Sequence, residues 1–190
     1  MLDVPIPDNQ MVTVMVAQTT FAVLTMPGKS FRIDYVEKKE ARLKPGMRGE
    51  FLSCTEHPLL LAYNSSLVGV YVNSRLPEPD DLLADIQQRI EGVFQGWRDW
   101  QWFLNGGANQ LRKNIVDGSG LLMAGAPVSI AQAMVEACEK YGVSTYVHGK
   151  MEAQLVKPLH HLLLIGQGYI IAQDFRFTEV LTKMPPQSSQ

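Results

Sequence analysis

The sequence predicts an α+β protein: a β-rich N-terminal meander or small barrel, a long amphipathic helix, then a mixed sheet with one βαβ crossover and a C-terminal hairpin. Three observations lead there. Residues 11–75 alternate short β-branched and aromatic runs with turn signals. Residues 83–104 repeat apolar side chains every three or four positions. From residue 120 onward, strand, helix and strand patterns follow one another closely.

Six strands are expected first, in "MVTVMVAQ", "TTFAVLTM", "SFRIDYV", "GEFLSC", "PLLLAYN" and "LVGVYVNS", with "MPGKS", "KPGMRG" and "NSS" as turns. Phe31, Ile33 and Tyr35 alternate with Arg32 and Asp34, the period of a half-buried antiparallel strand. "LPEPDD" then opens the helix, with Pro79 at the first helical position and Asp80 and Asp81 where the helix dipole favours negative charge. Leu83, Ile86, Ile90, Val93, Trp97, Trp100 and Leu104 form its apolar stripe, and "NGG" ends it.

A short helix is expected in "NQLRKNIVDG" and a strand in "GLLMAGA". The helix "PVSIAQAMVEACEKYG" follows, with Ser129 and Gln132 as an S-x-x-Q capping box and Gly142 as its stop. "VSTYVHG" then completes a crossover between parallel strands. "QLVKPLHHLLLI" and "YIIAQDFRFTEVL" flank "GQG" as a hairpin, with Pro158 placing its strand near an edge. The chain thus reads as a β-rich subdomain at 1–76, a connecting helix at 77–106, an α+β subdomain at 107–183 and a disordered tail at 184–190, as separate cores or one continuous domain.

Composition restricts the function classes. The chain has 190 residues, 46% of them hydrophobic, which suffices for a core without disulfides. Cys54 and Cys138 match no metal or redox spacing, which suits a reducing compartment. "MLDVPIPDNQ" lacks the basic-then-apolar pattern of an export signal, and the longest apolar runs fall short of the roughly 20 residues that span a bilayer. Cytoplasmic residence without a membrane partner is the expectation. Net charge of −2 gives no general attraction for polyanions. The seven Lys/Arg against three Asp/Glu at 29–48 read as a solvated strand face, which disfavours nucleic acid as a partner.

No catalytic signature is present: neither G-x-x-x-x-G-K-[ST], G-x-G-x-x-G after a strand, G-x-S-x-G nor H-E-x-x-H occurs. In "CTEH", Cys54 and His57 could offer two metal ligands, with His160 or His161 as a third. Neighbouring strand residues face opposite ways and no fourth ligand is apparent, so neither a metal nor another cofactor is expected. A nucleophilic Cys54–His160 dyad has nothing to position it, and Cys138 shares a helical face with Ile130, Met134 and Tyr141 as packed core.

Two function readings remain. The first is a non-catalytic interaction or assembly protein, associating with itself or with a partner protein near the long helix. At 100° per residue, Trp102 lies about 150° and Phe103 about 110° from the stripe centre, so a continuing helix turns Trp102 from the core. Trp102, Phe103 and nearby Arg98 are the residue types of binding hot spots, and Gly92 and Gly96 on that flank would admit a close neighbour. The second is an enzyme or binder for an anionic metabolite at the crossover. There Ser129 would open a helix whose free N–H groups hold the anion, Lys150 would bind or polarise it, and His148 would act as acid or base.

Overall fold

The computed structural model describes residues 4–152, 154–157 and 159–180. The tail expected at 184–190 and the expected edge role of Pro158 lie outside them. Along the chain the strands and helices are β1 (Met11–Ala17), β2 (Phe21–Met26), β3 (Lys29–Val36), β4 (Glu40–Arg42), β5 (Arg48–Cys54), α1 (Leu61–Asn64), β6 (Leu67–Val72) and α2 (Asp80–Phe94). They continue with α3 (Gly107–Asp117), β7 (Gly120–Pro127), α4 (Val128–Lys140), β8 (Thr145–His148), β9 (His161–Ile165), β10 (Gly168–Ala172) and β11 (Asp174–Val180). The fold is α+β with two antiparallel sheets. Contacts divide the chain into two compact units, Met1–His57 with Pro158–Gln190, and Pro58–Lys157.

The first unit holds an eight-stranded sheet in the order β11-β3-β2-β1-β5-β9-β10-β4. Strand alternation sends Val12, Val14, Leu24, Phe31, Ile33, Phe51, Leu163, Ile165, Ile170 and Phe175 into one core. Arg32 and Asp34 on the other side of β3 pair with each other at 2.8 Å. β3 runs into β4 and β10 into β11, and hydrogen bonds from Lys39 N to Ile171 O (2.9 Å) and Gln173 N to Val36 O (3.0 Å) tie the two corners together. The pairing of β10 with β4 ends at Ile171–Glu40 and that of β11 with β3 begins at Asp174–Val36, with left-handed Glu37 at the corner between them. At the β9–β10 turn, a Cβ on Gly49 would stand 2.5 Å from the Gly166 backbone, so only glycine permits this crossing. β9 lies between β5 and β10 and is not an edge strand.

Two expectations from the first half of the chain are corrected. "PLLLAYN" is not a strand: Pro58–Leu60 is a 3-10 turn that continues into α1. Leu59 and Leu60 are both fully buried, which neighbouring positions of a one-faced strand could not be, and Pro58 supplies the fixed φ of a helical start. β6 does not pair with the preceding strands either. It is the middle strand of a second sheet, β7-β6-β8, in the second unit.

That second sheet is antiparallel and not mixed. β7 and β8 run the same way on either side of β6 and are joined through α4, so the two parallel strands do not hydrogen-bond to each other. Val68, Val70 and Val72 point to the core, where they meet Leu82, Ile86, Ile90 and Phe94 of α2 and Ile130, Met134 and Cys138 of α4. Asp85 joins α2 to α4 by accepting from Arg89 (3.2 Å) and Lys140 (3.0 Å), and Arg89 also reaches Glu136 (3.1 Å). Hydrogen bonds from Lys140 and then Arg89 hold the Asp85 carboxyl below the usual carboxylate range.

The long helix expected to residue 106 stops at Phe94. Gln95 and Gly96 both take left-handed backbone, with φ of 50° and 81°, and no α-helix continues through two such residues. The fully buried stripe is Leu82, Ile86, Ile90 and Phe94, with Leu83 and Val93 on its flank. In α4 the cap is Pro127, and no side chain caps the helix. Ser129 therefore sits within the first turn and not at the N-cap, and Gln132 hydrogen-bonds Glu136 (3.0 Å), so the capping box is not made.

Candidate functional site

The segment after α2 is rebuilt by a single carboxylate. Asp99 accepts from Gln101 N at 2.8 Å, which starts a 3-10 turn over Trp100–Phe103. Gln101 Oε1 accepts from Ala108 N at 3.1 Å and so satisfies one of the free donors at the start of α3. On the far side, Asn105 N donates to Leu122 O (2.9 Å) and Leu104 bridges Met123 of β7. The turn is thus fixed at three points.

Its side chains divide sharply. Phe103 is 5% exposed and stacks on Phe94, with centroids 5.6 Å apart. The expectation that Phe103 faces a partner is therefore corrected: the helix breaks, and the tighter turn carries this ring into the core. Trp97 and Trp100 are half-buried, and Trp100 packs against the same core. Trp102 stands 52% exposed, edge-on to Phe103 at 4.7 Å. The Arg98 guanidinium lies 4.0 Å from its ring centre, a cation–π contact worth about 0.5–1 kcal/mol at such a site.

Beside the pair runs an open groove of about 460 Å³ lined by Glu91, Gly96, Arg98, Asp99, Trp100 and Gln101. Gly92 and Gly96 have open space where a side chain would stand, so neither marks a close approach within this chain. Asp99 and Gln101 are the residues that sequence reasoning missed. The Gly96 stop followed by an Asp three residues later is the signal that could have found them.

Of the residues proposed for an anion site, Ser129 and His148 lie on opposite faces of the second sheet. β7 ends at Pro127 opposite Leu67, and β8 ends at His148 opposite Gly69, so both ends reach the same end of the sheet. Val147 pairs with Val70 and packs on the core with it, so His148, one residue on, points to the opposite face. α4, which carries exposed Ser129, packs on the core face. Lys150 is exposed in the loop after β8.

Around "CTEH", burial pushes the Cys54 thiol up, with Asp8 adding to the effect, which disfavours the thiolate a nucleophile needs. Burial lowers the basicity of His57, His160 and His161, and Lys39 and His161 lower that of His160 further. Among the described residues no group of three or more His, Cys, Asp or Glu is arranged to hold a metal. No helix among them is long and apolar enough to cross a membrane. Comparison with protein-family models, with curated proteins and with solved structures gave no match.

Proposed function

We propose that this chain works by association, as an interaction or assembly protein that uses Trp102 and Arg98 to hold a partner protein or another copy of itself. The carrying observation is an indole exposed over half its surface on a turn fixed by Asp99, Gln101 and Leu104. Ordering an interface side chain costs about 0.5–1.5 kcal/mol on binding, and a ring already held by Arg98 and Phe103 avoids much of that cost. Trp and Arg are also the side chains that most often dominate binding energy. The groove along Glu91, Asp99 and Gln101 supplies the polar rim such an anchor needs.

The test compares wild type with Trp102→Ala and Arg98→Ala. Light scattering across concentration gives self-association, and capture on immobilised protein gives partners. The reading requires that either the solution mass or a captured protein depend on Trp102. A solution mass and a set of captured proteins that are both the same for wild type and Trp102→Ala would overturn it.

A further inference from the structure

The sheet β7-β6-β8 buries one face only. On the other, strand alternation places Leu67, Gly69 and Tyr71 of β6 beside Tyr146 and His148 of β8 and Leu121 of β7. Leu155 pairs with Ser65, two residues before Leu67, and so extends the same side. Exposure is 50% at Leu67, 39% at Tyr71, 57% at Tyr146 and 74% at Leu155. The two tyrosine rings lie 6.2 Å apart and form the middle of the patch. An antiparallel sheet with one solvated face normally alternates apolar with polar residues. This one does not: "LVGVYV", "GLLMAGAP" and "TYVH" contain no Asp, Glu, Lys or Arg.

We infer that this face is where two copies of the chain pack together about a two-fold axis. The inference goes beyond the Trp102 reading, since it concerns different residues. Two features favour a second copy. Near a two-fold axis each residue faces its own copy, so a charge there would meet its like; the three strands at the middle of this face carry none. Its size also fits. With a large side chain presenting about 200 Å² when fully exposed, the four apolar side chains offer about 450 Å², over half of the roughly 800 Å² per partner in a stable interface. Exposed His148 and half-buried Leu121 and Gly69 add to it.

Gly69 adds no side chain to the middle of this face: a Cβ there would lie 3.5 Å from the Tyr71 ring, 3.7 Å from Met123 O and 3.8 Å from Leu121. β8 has four residues, too short an edge for a strong ladder between copies, and the β7 edge is already bridged by Leu104 at Met123 and bonded by Asn105 N at Leu122 O, so the contact is face to face, with the sheets about 10 Å apart.

Sedimentation equilibrium on the full chain, from micromolar to hundreds of micromolar, tests this with wild type, Tyr146→Glu, Leu155→Glu and Trp102→Ala. Wild type and Trp102→Ala should give twice the chain mass. Each glutamate enters the interface twice and should raise the dimer dissociation constant on the order of a hundredfold or more. Leu155→Glu keeps the test valid if Tyr146→Glu fails to fold, because a side chain 74% exposed contributes little to folding. A wild type that stays monomeric throughout overturns the inference, as does a dimer that survives both glutamates. A dimer lost with Trp102→Ala but kept with both glutamates overturns it too, while leaving the Trp102 reading intact.

Discussion

Replacing Phe103 and Trp102 in turn by alanine separates a core ring from a surface one within two residues of chain. Phe103 is 5% exposed and stacked on Phe94, so Phe103→Ala forfeits nearly all the transfer free energy of a buried phenyl and leaves a cavity beside Phe94. Together these cost about 3–5 kcal/mol. Trp102 keeps half its surface in water, so Trp102→Ala loses about half of a buried aromatic's contribution and the Arg98 contact, about 1–2 kcal/mol in all. The assay is urea unfolding followed by tryptophan fluorescence. All three tryptophans lie within Pro58–Lys157, so the signal reports the unit that contains both mutations. Equal slopes would confirm a common unfolding reaction. Comparable costs for the two variants, or a Phe103→Ala cost below about 1.5 kcal/mol, would refute the division of this turn into core and surface.

Asp85 should give α2 and α4 a pH-dependent tie. Its folded pKa is depressed by Lys140 and then Arg89, so its contribution is present above the unfolded value, about 3.9, and is lost as pH falls through the folded one. Asp85→Asn should therefore lower the urea midpoint at neutral pH, with the gap to wild type closing below about pH 4; a constant gap across that range would contradict the assignment. Cys138 is fully buried, and burial together with Glu139 pushes its thiol up to about 12. In an absorbance assay with a thiol-specific disulfide reagent at pH 8, Cys138 should react at the rate of unfolding while the half-buried Cys54 reacts sooner; equal fast labelling of both would show the second core to be open.

Local chemistry was legible where one period decides the outcome. The alternation in "FRIDYV" gave β3 its core face, and Ile86 and Ile90 gave α2 its stripe. The pairing of β9 with β5, and of β11 with β3, joins residues more than 100 positions apart and leaves no local pattern to read. At "FQGWRDW" the apolar spacing runs on past Phe94, so periodicity alone carries the helix through a point where backbone conformation ends it. Left-handed Gln95 and Gly96 end the helix, and the Asp99 cap starts a 3-10 turn that still brings Trp100 and Leu104 to the core.

The second sheet was hidden for a different reason. A strand apolar on both sides normally reads as buried on both sides, and "LVGVYV" carries valines toward the core and Leu67 and Tyr71 away from it. The period of two names the two faces without saying what covers either. Trp102 was reached by the converse route: its exposure was inferred from a helix that does not form, and it is realised by a 3-10 turn that sends neighbouring Phe103 inward. In both places the informative feature is large apolar surface left outside a core that is already filled. Within this chain Tyr71 and Tyr146 meet as a cross-strand pair and Trp102 meets Phe103 and Arg98, yet exposure remains 39%, 57% and 52% at the three residues, and that is the surface the proposed association would cover.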